Sequence, residues 1–365
     1  MKKTIIILII MFFVVGCFQK KVKVNSEIKE DKKEYKLSLI MAGDVLIHDA
    51  IYKDAYISND KYDFNYLFEY IKPIIQKHDL AFCNQETIIG GKKLGLSTYP
   101  RFNSPEEIGD ALVDTGFNLI SLANNHSLDK GEQGIINSNN YWKTKDVTVN
   151  GTSNSQEEQN NINIKTKNNI SYVLLSYTTS TNGLIVPKGK EYLVNIYNEE
   201  KVKKDILQVK DKVDIIMVSM HWGEEYNHSP NNEQKRIANF LSDLGVNIII
   251  GHHPHVVQPI EYIDNTLVIY SLGNLVSAQT GLPKLVGMLV SLNIVKSDIN
   301  NSIVISLENL NSEIIYTHYN NYRDFKIIPY NKLNNKLLPN YKDKLKTYIK
   351  VINEYENNIQ VNVSA

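Results

Sequence analysis

Three consecutive stretches decide the fold: VDIIMVSMHWG (213–223), NEQKRIANFLSDLG (232–245) and VNIIIGHHPH (246–255). Residues 213–219 form a short, nearly continuous apolar run, as expected of a strand covered on both faces. Residues 232–244 carry apolar groups at helical spacing and stop at Gly245. Residues 246–250 repeat the buried-strand pattern. Strand, helix and strand in succession argue for an α/β protein built on a parallel-type sheet. Each strand ends in groups able to bind a metal: His221-Trp222-Gly223 after the first, Gly251-His252-His253-Pro254-His255 after the second.

Four more segments share that design on either side. Residues 37–42 read as a strand ending at Gly43-Asp44. Residues 79–83 lead into Asn84-Gln85-Glu86, residues 117–122 into Asn124-Asn125-His126 with Asp129, and residues 267–271 into Ser271-Leu272-Gly273-Asn274. Loops at the carboxyl ends of parallel strands gather at one sheet edge, so all six segments are expected to meet there. Residues 171–177 read as a further strand. The helices between are 66–77, kinked at Pro73, 104–115, with Ser104 as cap and Pro105 at the first position, and 199–210. Residues 139–166 are polar and Asn-rich, and are expected to hold a helix end and a loop around Gly151. From Leu285 the pattern changes to strands at 285–295, 303–307, 313–316 and 325–328, expected to complete a second sheet. A terminal helix is expected over 341–356.

The chemistry follows from the residue types. Asp44 and Glu86 are carboxylates for a hard or borderline cation, and Glu86 is placed to bridge two ions. Asn125 offers an amide oxygen. His253 and His255, two apart on extended backbone, point to one site, and His221 adds a third imidazole. His126 can act as acid, with Asp129 three residues on to set its tautomer. Arg101 is a candidate anion clamp. Ser271 and Asn274 are candidate substrate contacts, or alternatively a structural turn. The composition predicts a divalent metal centre for two ions (Mn, Zn or Fe).

The 365 residues carry 40 basic and 40 acidic side chains, which leaves no electrostatic footprint for nucleic acid. At the N-terminus, Lys2 and Lys3 precede an apolar run, Ile5 to Val15, and then Gly16-Cys17. This reads as a signal peptide over 1–16 with a lipobox and lipidation of Cys17. Residues 17–36 are then a tether, and the body is extracytoplasmic, anchored to the cell membrane as a lipoprotein. Cys83, in an apolar run, reads as a buried thiol with no disulfide partner.

Taken in order, Gly43-Asp44, Asn84-x-Glu86, Ala123-Asn124-Asn125-His126-x-x-Asp129-x-Gly131, His221-Trp222-Gly223, Gly251-His252-His253-Pro254-His255 and Ser271-Leu272-Gly273-Asn274 resemble the bacterial capsule synthesis protein CapA family, across residues 37–280. The family is associated with poly-gamma-glutamate synthesis and export and is related to calcineurin-like metallophosphatases. The resemblance implies a four-layer α/β/β/α sandwich; the domain is expected over 37–330, and the helix read at 341–356 gives a C-terminal helical extension over 331–365. It implies Asp44 and bridging Glu86 as ligands, Asn125 and His221 on one ion, and His253 and His255 divided between the two. His126 would be the acid. The metallophosphatase pattern is not followed throughout. Its Asp-x-His has Leu46 at the third position, its bridging Asp is Glu86, and one extra residue separates Gly251 from His253.

Three functions fit this reading. The first is a metallohydrolase acting on a phosphoester or cell-envelope polymer. The second is a non-catalytic subunit working with the membrane subunits of a polyglutamate synthase. The third is a lipid-anchored module that holds an anion through a metal.

Overall fold

The computed structural model describes residues 32–299, 302–356 and 359–362. The expected signal peptide, Cys17 and tether residues 17–31 lie outside the described residues. Lys32–Lys36, read as tether, belong to the first strand, Lys32–Leu46, where they pair with Val295–Ile299. That strand also continues past Asp44, because Asp44, Val45 and Leu46 find a second parallel neighbour in Asn274–Ser277.

Two sheets carry the molecule. Among the described residues the larger has nine strands. In spatial order it runs Arg323–Pro329, Ser302–Asn320, Val286–Ile299, Lys32–Leu46, Leu80–Asn84, Leu119–Ser121 and Thr148–Asn150, with Asn274–Ser277 and Gln360–Asn362 paired at its side. The smaller runs Ile260–Ile263, Thr266–Ile269, Ile248–His252, Ile215–His221, Ile170–Thr178 and Lys165–Lys167. The metal-type segments all follow strands of the parallel halves of these sheets.

Alternation along the strands builds the core. Leu37, Leu39, Met41, Leu80 and Phe82 from one sheet pack with Leu174, Ile215, Met217, Ile248 and Ile250 from the other. The opposite faces take helices. Ile40, Ala42, Ala81 and Ile120 meet Ile51, Leu67, Ile75, Ile108, Leu112 and Trp142. Val173, Ile216, Val218 and Ile249 meet Val202, Ile206, Ile237 and Leu241. Strands buried on both faces must be apolar at every position, which is why the runs in the sequence are continuous.

Several elements depart from expectation. The helix over 66–77 is two short ones, Asn65–Phe68 and Lys72–Ile75, with Pro73 in the opening turn of the second, where it loses no hydrogen bond. Ser104 does not cap; its hydroxyl donates to Thr87 Oγ1 at 2.8 Å, and the helix is Glu107–Thr115. The helix Gly131–Trp142 ends inside the polar region, as expected, and the region adds the edge strand Thr148–Asn150. The strands after Leu285 extend the first sheet, antiparallel to Lys32–Leu46, and two expected runs are one strand, Ser302–Asn320. The C-terminal region is integral to the body: Leu345, Tyr348 and Ile352 of the helix Tyr341–Ile352 enter the inter-sheet core. Cys83 is buried, and burial pushes its thiol far up. Among the described residues no helix is long and apolar enough to cross a membrane.

Candidate metal centre

Two glycines let the strand ends meet. A Cβ on Gly43 would lie 1.8 Å from the Gly273 carbonyl oxygen, and one on Gly251 would lie 2.0 Å from that of Tyr270. Only a residue without a side chain permits these crossings. Beside them, Asp44 N donates to Gly273 O at 3.0 Å.

The strand ends bring together five of the residues singled out for metal binding as two triads sharing Glu86, with Asn125 beside one of them. One is Glu86, His221 and His253; the other is Asp44, Glu86 and His255, with candidate ligand atoms in each within 4.8 Å of one another. His221 Nε2 lies 3.7 Å from Glu86 Oε1, 3.1 Å from His253 Nδ1 and 3.0 Å from Asn125 Oδ1. His255 lies 3.3 Å from Asp44 Oδ2 through Nδ1 and 3.6 Å from Glu86 Oε1 through Nε2. His253 and His255 do not reach the site by strand alternation. Both have left-handed backbone, at φ +96° and +57°, so a tight turn around Pro254 aims the rings. Such conformations carry a cost that packing must offset, and they concentrate at functional sites.

Charge in this pocket is poorly satisfied without a cation. Both carboxylate oxygens of Glu86 are buried with no hydrogen-bond partner. Burial raises the Glu86 carboxyl well above its ordinary range, against the pull of His255. Burial also acts to raise Asp44, but hydrogen bonding and charge from His255 outweigh it, and Asp44 stays below the usual range. Burial and neighbouring histidines hold His221 well below its normal value, and burial brings His253 down to about 4. For His255 the burial effect is overcome by Glu86 and Asp44, which lift it to about 9. Imidazoles, an amide oxygen and carboxylates converging on two points are a donor set that fits borderline divalent ions.

His126 Nδ1 lies 2.7 Å from Asp129 Oδ2, and the same carboxylate oxygen accepts from Phe102 N at 2.6 Å. Both residues line a cleft of about 360 Å³ with Tyr99, Pro100, Arg101, Asn182, Leu184 and Glu225. Arg101 is therefore on the cleft wall. Ser271 and Asn274 are not; they are buried beside the triads with their polar groups used internally. Ser271 Oγ donates to Val256 O at 2.8 Å. Asn274 Nδ2 faces Gln279 Oε1, Lys284 O and His255 O, at 3.0, 2.9 and 3.4 Å. The expected substrate contacts thus have the geometry of the structural turn.

Other residues of the site had no assigned role in the sequence reading. Asn84 Nδ2 donates to Asp44 Oδ1 at 2.8 Å, as its alternation with Glu86 could have indicated. His252 is buried and stacked on Phe82, with Nδ1 3.7 Å from Asp44 Oδ1. Asn182 arrives from the loop after Ile170–Thr178, and its only local mark is the Asn-Gly turn signal with Gly183.

The fold and this geometry define an α/β protein with a buried carboxylate–imidazole–amide centre at the strand ends. A family profile described as "Bacterial capsule synthesis protein PGA_cap" matches residues 38–279, and the chain belongs to that family. It is 27% identical over 281 residues to "Capsule biosynthesis protein CapA" of Bacillus anthracis, covering 74% of this chain and 67% of that one. It is 30% identical over 223 residues to "PGA biosynthesis protein CapA" of Bacillus subtilis (strain 168), covering 58% and 57%. Among solved structures, the calcineurin-like phosphoesterase YfkN from Bacillus subtilis overlaps 77% of this chain and 91% of that one, at TM-score 0.48 and 15% identity.

Proposed function

We propose that this is a lipid-anchored, extracytoplasmic protein of capsule synthesis or export that hydrolyses a phosphoester, or a bond in an anionic envelope polymer, at a dinuclear metal centre. The observation that carries the reading is Glu86, whose two buried oxygens lack hydrogen-bond partners at the corner shared by both triads. Asp44, Glu86, Asn125, His221, His253 and His255 would hold the ions. Two divalent ions in this position would supply Lewis acidity and make water a better nucleophile at neutral pH. The remaining work falls to the chain. Asp129 accepts the Nδ1–H of His126, so a His126 ring carrying a second proton on Nε2 would give that proton to the leaving group and keep Nδ1–H on Asp129, and Arg101 receives the anionic end of the substrate. A purely structural metal needs no acid at its side. The names of the two capsule and PGA biosynthesis relatives support a role beside the membrane subunits of a polyglutamate synthase.

A second reading, a non-catalytic polymer-binding or assembly subunit, is favoured by one feature: buried Leu46 stands where the metallophosphatase pattern has a ligand histidine. Metal content of the full chain, extracted in detergent without chelator, tests both readings together with aryl phosphomonoester and phosphodiester hydrolysis under Mn and Zn. The hydrolase reading expects about two ions per chain, fewer in His253→Ala, and metal-dependent turnover. Bound metal without turnover on these or polyglutamate substrates selects the second reading. No metal in the folded wild-type protein sinks the centre.

A further inference from the structure

We infer that two amides outside the ligand set, Asn182 and Asn274, are positioning residues, one for each triad. The inference rests on the metal centre proposed above. An asparagine side chain has an acceptor end and a donor end of nearly the same shape, so its orientation is set by what faces it. Asn125 turns Oδ1 to His221 Nε2, while its Nδ2 donates to Asn182 Oδ1 at 3.3 Å. A carbonyl oxygen can receive only the amino end, so Asn182 selects the orientation that presents the Asn125 oxygen to the Glu86–His221–His253 triad.

The loop that delivers Asn182 is tied to the same triad. Thr179 N donates to His221 O at 3.0 Å, Asn182 N to Ser180 Oγ at 3.1 Å, and Leu184 N to Thr181 O at 2.9 Å. Asn182 takes left-handed backbone at φ +52°, which asparagine tolerates better than most residues. His221 and the acceptor that orients its amide neighbour therefore hang from one hydrogen-bonded segment.

Asn274 serves the other triad by the same logic. Three oxygens surround its amino end, so its Oδ1 is turned to His255 Nδ1, at 2.9 Å. An Nδ1–H donated there leaves the lone pair of Nε2 on the side of Glu86 Oε1. Partners of this kind fix the tautomer and ring direction of a ligand histidine, and their loss costs 10–100-fold in metal affinity.

Cobalt titration of the full chain, followed by calorimetry and by the visible d–d spectrum, tests the assignment. Asn182→Gly removes the side chain while keeping the left-handed backbone. It is expected to weaken one of two binding steps by about 10–100-fold and leave the other unchanged. Asn182→Asp keeps the acceptor and is expected to restore wild-type binding. Asn274→Ala is expected to weaken the opposite step, and the double variant both. Wild-type cobalt binding in Asn182→Gly overturns the inference while the metal centre stands, as does either single variant weakening both steps. A wild type that binds no cobalt overturns the inference and the metal centre together. If Asn274→Ala does not fold, the Asn182 pair decides.

Discussion

Glu86 stands where charge is most expensive. A buried carboxylate without a hydrogen-bond partner is tolerated when a cation compensates it. Glu86→Gln is therefore expected to act with opposite signs in two conditions. In chelator, urea denaturation should find the variant as stable as wild type or more stable by about 1–3 kcal/mol. With Mn or Zn present, wild type should gain stability and the variant should not. A variant that loses stability in chelator would argue against an uncompensated charge. His126 separates chemistry from binding, since it touches the cleft and belongs to neither triad. His126→Ala should keep its metal and lose about 10²–10⁴-fold in turnover on aryl phosphate. Loss of metal in that variant would move His126 from acid to ligand support. His252 contributes to the acid limb of stability, alongside His48, His221 and His253, which are also held low. Burial holds the His252 imidazole at about 4, against an ordinary 6.5, so the unfolded chain binds the proton first. Stability of the chelated protein should fall as pH drops from about 6.5 through about 4. His252→Leu should flatten that acid limb by up to about 3 kcal/mol, read from denaturation midpoints across the range. His255, lifted to about 9, acts on the other side: its contribution is full below about 6.5 and is lost as pH rises through 9.

At the scale of elements, the site depends on how closely the strand ends cross. The parallel strand Asn274–Ser277 lies against Asp44, Val45 and Leu46, and Gly43 is the point where the two chains nearly touch. Gly43→Ala must separate backbone from backbone, because the atom in the way is a carbonyl oxygen rather than a flexible side chain. A loss of about 3 kcal/mol or more is expected, with metal binding lost in whatever folds, as read by urea denaturation and cobalt titration. Normal stability in Gly43→Ala would mean that the crossing can relax. The elements also account for the errors in reading the sequence. Local preference points to a kink at Pro73 and a cap at Ser104; Pro73 instead opens a short helix, and the Ser104 hydroxyl goes to Thr87. The Gly131–Trp142 helix was hidden because Ser138 and Asn139 occupy its buried face, so only Ile135 and Trp142 mark its large apolar contacts.

For the whole molecule, a single 365-residue chain places a buried metal-type centre on a body that begins its first strand at Lys32, 15 residues after Cys17. If Cys17 carries lipid, labelled palmitate fed to expressing cells should enter the protein and be absent from Cys17→Ala. Equal labelling of both would remove the lipoprotein assignment. The α/β class, the apolar strands and most of the metal-type residues were legible from sequence, because doubly covered strands need continuous apolar runs and metal chemistry restricts residue types. Asp44, Glu86, Asn125, His221, His253 and His255 were each visible at a strand end. The resemblance implied Glu86 as the bridge with Asn125 and His221 on one ion; that His253 joins His221 and His255 joins Asp44 was not visible, because it depends on two sheets facing each other across a shared core. The turn that aims His253 and His255 could not be read from alternation, since it uses left-handed backbone. Asn182 and Asn274 found their roles only in three dimensions, since an amide's orientation belongs to the atoms facing it and those come from distant parts of the chain. Sequence by itself determined which chemistry the strand ends carry; tertiary structure decided which atoms share a site, because convergence is a property of packed strands and not of residue order.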